Sequence, residues 1–159
     1  MLQQTINNKI KGHTMKKHFL TTLCFCLIAG LAHADAGDIK ARQQYMKEWR
    51  GLNKKMGDIL KKHNTASFPT DSFAALAAQL NETANEPWQH YNAGSDGAGS
   101  DASADVWRKP QEFQAAIKRF NAAASALDQA AKSGNYDAVK TAFDKVGQSC
   151  KACHQSFKQ

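Results

Sequence analysis

The sequence predicts an all-α protein, an antiparallel four-helix bundle occupying residues 35–159. Three observations carry that prediction. Apolar residues recur in alternating steps of three and four, which lines them up along one stripe of a helix. The stretches that interrupt this rhythm contain Pro, Gly, Asn and Ser, residues suited to turns. β-Branched residues are few and nowhere alternate with polar ones, so no strand is expected.

The bundle follows a leader. From Met15 the chain reads MKKHFLTTLCFCLIAGLAHA: two lysines, an apolar run from Phe19 to Leu31, then Ala-His-Ala. This is the charged, apolar and small-residue order of a secretory signal, and the run is too short to favour a membrane-spanning helix. We expect the start at Met15, cleavage after Ala34 and a periplasmic protein with no membrane anchor after cleavage. Residues 1–14 read as an upstream leader. Cys24 and Cys26 lack the small-residue context of a lipoprotein signal and leave with the leader.

The first bundle helix runs from Ile39 through Arg42, Met46, Trp49, Asn53, Met56 and Leu60 to His63, widened by Tyr45, Leu52 and Ile59. NTASFPTDS ends it, with Pro69 fixing the turn and Thr70 or Asp71 as the expected cap of the next helix. Phe73, Leu76, Leu80 and Ala84 form the second stripe, which stops at Pro87. The segment NAGSDGAGSDASAD (92–105) has too little apolar area to pack and is expected to be a surface loop. Pro110 suits the first turn of a third helix carrying Phe113, Ile117, Phe120, Ala124, Leu127 and Ala131. Gly134 is placed to stop that helix and Asn135 to cap the fourth. On the fourth, Val139, Phe143, Val146, Cys150, Cys153 and Phe157 share one stripe, so both cysteines face the core.

Charge narrows the partners. The full chain carries a formal +7, but removal of residues 1–34 takes away four lysines and no acids, leaving +3. Bases and acids are interspersed, which argues against a nucleic-acid partner.

The chemistry sits in CKACH, residues 150–154. C-x-x-C-H is the attachment signature of a c-type haem. Two thiols add across the two porphyrin vinyl groups, and His154, one helical turn from Cys150, becomes the proximal iron ligand. Two competitors are weaker. A redox C-x-x-C belongs to a βαβ context that is missing here. A zinc site needs four ligands, and its further candidates, His63 and His90, lie far off in sequence.

With these residues in view, the chain resembles the cytochrome c′ family, including its low-spin cytochrome c-556 branch. The likeness covers nearly all of residues 38–158. It includes RQQYM at 42–46, Met-Gly at 56–57, Pro87-Trp88, Val106-Trp107 before Phe113, and AAKSGNYDAVKTAFDKVGQSCKACHQSFK at 130–158. The resemblance implies exported four-helix bundles with one covalent haem c. It places Arg42 and Gln43 beside the haem propionates, and a buried propionate does need a cation or donors. It puts Asp101 near a haem-contacting position, with a loose alignment at that loop, and Lys158 near the proximal imidazole.

The family divides at the sixth iron position, four residues after the arginine, which is Met46 here. In the c-556 branch this methionine ligates iron; in typical cytochromes c′ a non-ligating hydrophobe leaves the distal face open to NO or CO. The first reading is therefore a periplasmic electron carrier, not an enzyme, with His154 and Met46 on the iron. The alternative is a five-coordinate cytochrome c′ that binds NO or CO. A haem-free bundle with a C-terminal disulfide is a remote third. Tyr45 and Trp49 flank Met46 and either stack on the porphyrin or pack. Met56 reads as core, and His63 and His90 as solvent-facing. Periplasmic redox partners and a homodimer through the first two helices are the associations the resemblance suggests.

Overall fold

In the computed structural model the backbone is described for residues 23–159 and the side chains for residues 36–159. The expected signal segment, with its start at Met15, its cysteines and its cleavage after Ala34, lies outside the residues whose side chains are described. The chain divides into two units, Met1–His33 and Ala34–Gln159. Four long helices dominate: α1 (Leu23–Lys62), α2 (Thr70–Thr83), α4 (Pro110–Ser133) and α5 (Tyr136–Phe157). A 3₁₀ turn (Glu86–His90) and a one-turn helix α3 (Asp105–Arg108) lie in the long connection between α2 and α4. No strand occurs among the described residues; Ala102 and Lys158 form one isolated β-bridge.

The periodicity read from the sequence is the packing that forms. Trp49, Leu52 and Met56 of α1 meet Phe73, Ala77 and Leu80 of α2 in one buried cluster. Phe120, Ala124, Leu127 and Ala131 of α4 and Val139, Ala142 and Val146 of α5 complete it. Full burial of such a Leu or Phe contributes about 1.5–3 kcal/mol, which explains why the stripes set the fold. All six expected α4 positions are buried. On α2 the centre of the stripe is Ala77, and Leu76 sits at its flank.

The helix ends follow their chemistry with one exception. Gly134 takes φ 69°, a left-handed conformation that costs glycine little, and closes α4. Asn135 caps α5, its side-chain oxygen accepting from the Ala138 amide at 3.0 Å. The Tyr136 hydroxyl donates to the carbonyls of Leu60 and His63, tying the start of α5 to the end of α1. Neither Thr70 nor Asp71 caps α2. The N-cap is Pro69, whose carbonyl already accepts from Phe73, so both polar residues fall inside the first turn.

The 92–105 connection is the surface loop expected, with most of its residues exposed. It is nonetheless anchored: Ser95 is fully buried and hydrogen-bonded to α1. A second apolar cluster, built from Val106, Phe113, Ala116, Ile117 and Phe157, packs this connection against α4 and the end of α5.

Candidate haem site

Near the end of α5 the stripes of α1, α4 and α5 part around a cavity of about 550 Å³. One wall is the terminal motif, with Cys150, Cys153 and His154 all lining it. From α1 come Arg42, Gln43, Met46 and Trp49. Phe113, Phe120, Phe143 and Phe157 provide apolar flanks. Where the helices part, Phe143, Cys150 and Cys153 are only half-buried, whereas Val139 and Val146 on the same stripe are fully buried.

The aromatic lining is continuous. Trp49 lies 4.5 Å from Phe120 and 5.7 Å from Trp88, centroid to centroid. Trp88 stacks on Tyr91 at 6.1 Å, and Phe113 stands edge-on to Tyr91 at 5.0 Å and to Phe157 at 5.2 Å. The Trp49 indole donates to the Thr83 hydroxyl and the Trp88 indole to the Ala84 carbonyl, which fixes both rings. Such a cavity, apolar with a few polar groups at its rim, suits a flat aromatic macrocycle, and its size is that of a cofactor pocket.

The donor set fits as well. Cys150 and Cys153 carry free thiols. Burial pushes both pKa values up, and Cys150 adds to the effect on Cys153. The pKa of His154, at the cavity mouth, is held below the ordinary value by partial burial, then by the charges of Lys158 and Arg50. That favours the neutral imidazole, the form able to ligate iron. Among the described residues no group of three or more His, Cys, Asp and Glu is arranged to hold a bare metal ion. One imidazole beside two thiols matches a metal brought in by a porphyrin.

At the rim, Arg42 is 3% exposed although it carries a full charge. Its Nη1 donates to the His90 carbonyl and the Ser95 hydroxyl, both at 2.8 Å. Its Nη2 donates to the Ser95 carbonyl and, at 2.7 Å, to the Ser100 hydroxyl. The guanidinium also sits 4.6 Å above the centre of the Tyr91 ring. Burial draws its pKa below the ordinary arginine value. Four of the five N–H bonds are thus taken by the chain itself, leaving Nε–H for any further acceptor. Gln43 donates to the Gly99 carbonyl at 2.8 Å. Asp101 lines the cavity and pairs with Lys158 at 3.4 Å.

Every residue expected at the site therefore lines one cavity: Cys150, Cys153, His154, Met46, Arg42, Gln43, Asp101 and Lys158. Met46 is half-buried and packs against the main core. Trp49 belongs to the wall, whereas Tyr45 stacks on His90 at 6.4 Å. Met56 is core, fully buried. His90 corrects the solvent-facing expectation: its Nδ1 lies 2.8 Å from Asp38 Oδ1, and it is half-buried. His63 is half-buried too. Tyr91 was not foreseen; it sits in the wall with its pKa raised to about 12, chiefly by burial. Arg50 and Lys47, also unforeseen, add positive charge at the rim.

Comparison with known proteins agrees with this geometry. The sequence model described as Cytochrome C' matches residues 38–158. The cytochrome c' of Rubrivivax gelatinosus is 34% identical over 95 residues, covering 59% of this chain and 74% of that protein. A carbon monoxide-bound variant of the cytochrome c prime from Alcaligenes xylosoxidans superposes with a TM-score of 0.73 at 25% identity, over 79% of this chain and 96% of that one. A nitric oxide complex of another variant from Alcaligenes xylosoxidans gives 0.70 at 25% identity, with 79% and 95% covered.

Proposed function

The chain belongs to the cytochrome c′ family, a family of covalent haem c proteins, and from that premise we propose that it is a periplasmic gas-binding cytochrome. Cys150 and Cys153 would hold the porphyrin through thioethers and His154 would hold its iron. When bound, the group would supply an iron able to take up NO or CO. Met46 and Trp49 line the cavity and would limit the volume left for a gas ligand, while Phe120 would help to exclude water. Arg42 and Gln43 cover the polar rim. We read the protein as a binding protein and not as an enzyme. Export by residues 1–34, with cleavage after Ala34, belongs to the same proposal. No helix among the described residues is long and apolar enough to cross a membrane.

The observation that carries this reading is the capture of CO and NO by variants of the Alcaligenes xylosoxidans protein, whose bundle this chain shares. One observation favours the second reading: the Met46 side chain lines the same cavity as His154. A methionine in that position could close the sixth site and make the protein an electron carrier. Adding CO to the reduced holoprotein separates the two. Rapid binding with a broad high-spin spectrum beforehand, little altered in Met46→Ala, supports the gas-binding reading. A low-spin spectrum that turns high-spin in Met46→Ala would replace it with the electron carrier.

A further inference from the structure

The Gly-, Ser- and Asp-rich connection between α2 and α4 is fastened at two places, one on α1 and one at the end of α5, and both elements line the cavity. At one end, Arg42 holds Ser95 and Ser100, Gln43 holds the Gly99 carbonyl, and Asn92 donates to Asp38 at 2.7 Å. All of these partners lie on α1. At the other end, the Ser103 amide donates to the Phe157 carbonyl at 2.9 Å and the Gln159 amide donates to the Asp101 carbonyl at 3.0 Å. Asp101 also pairs with Lys158. These partners follow directly on the terminal motif of α5.

Ser100 joins the two ends. Its hydroxyl oxygen accepts from Arg42 and from the Ala102 amide at 3.1 Å, and Ala102 bridges to Lys158. Arg42 is one helical turn before Met46, and Lys158 one turn after His154. We propose that residues 92–103 are a strap that sets the separation of α1 and α5 at the cavity mouth, with Ser95 as its positioning residue. Ser95 is fully buried and does not line the cavity. Its hydroxyl accepts from Arg42 and donates to the Asn92 carbonyl at 2.8 Å, so it pins the strap from both sides. The strap stands on these hydrogen bonds alone; its effect on ligand access rests on the gas-binding reading.

The test is amide hydrogen exchange on the holoprotein and its Ser95→Ala variant, paired with the CO association rate. Loss of the pin should accelerate exchange about tenfold at Ser100 and Ala102 and also at Ser103 and Gln159, with α2 and α4 unchanged. The CO association rate should rise with it. Acceleration confined to residues 92–100, uniform acceleration through the bundle, or no change at all would each overturn the strap. If Ser95→Ala does not fold, Ser100→Ala, which removes the joining hydroxyl, is read by the same criteria. Wild-type protein that takes up no CO removes the gas-binding reading and leaves the strap to be judged by exchange.

Discussion

Replacing Arg42 by methionine keeps an unbranched stem and removes the charged head. Four acceptors lose a donor, and their situations differ. The His90 carbonyl belongs to a half-buried residue, the Ser95 hydroxyl still donates to the Asn92 carbonyl, and the Ser100 hydroxyl still accepts from the Ala102 amide. The Ser95 carbonyl, in a fully buried residue, has no other donor among the described residues. Orphaning that one group costs about 1–3 kcal/mol, and the three remaining bonds add roughly 0.5–1.5 kcal/mol each. Relief from burying a cation offsets part of the sum, so the net loss should be about 2–4 kcal/mol. Against a total stability of about 5–15 kcal/mol this is large. It corresponds to a fall in melting temperature on the order of 10 °C for a domain of this size. Thermal unfolding of the holoprotein measures it. Arg42→Lys should recover only part of the loss, because an ammonium cannot span acceptors that a planar fork reaches together. A change below about 0.5 kcal/mol in Arg42→Met would refute the reasoning, since surface substitutions do as much.

Two other outcomes are expected. Asn135→Ala removes the oxygen that caps α5 and should cost about 1 kcal/mol, seen as a lower denaturant midpoint with unchanged slope. The pKa of Asp38 is held below the ordinary carboxylate value, first by its bond to His90 and then by Asn92. A carboxyl depressed in the folded state stabilises above its unfolded pKa and loses that contribution as pH falls through the folded value. Melting temperature should therefore drop with acidification below about pH 4, and less steeply in Asp38→Asn.

What could be read from the sequence depended on whether the signal was local. Pro110, Gly134 and Asn135 act within one turn of their own positions, so the start of α4, its end and the cap of α5 were legible. The stripes were legible because a helix reports its buried face in its own spacing. Pro69 illustrates the limit: its carbonyl begins α2 before Thr70 can act as a cap, and backbone conformation decides that. The 92–105 connection illustrates a deeper one. Its composition correctly says that it lacks apolar area, yet its order comes from an arginine about fifty residues earlier that donates to Ser95. No periodicity links positions 42 and 95. The surroundings of His90 escape the sequence for the same reason, since Asp38 reaches it across the fold. The cavity residues Cys150, Cys153 and His154 stood out because three chemically distinctive residues fall within five positions.

Of the three tryptophans, Trp49 and Trp88 both line the cavity, with their rings held by hydrogen bonds. Indoles emit where porphyrins absorb, so their fluorescence should be bright in the empty polypeptide and dim once the pigment is seated. The protein thereby carries its own gauge of loading, readable at the bench without a label.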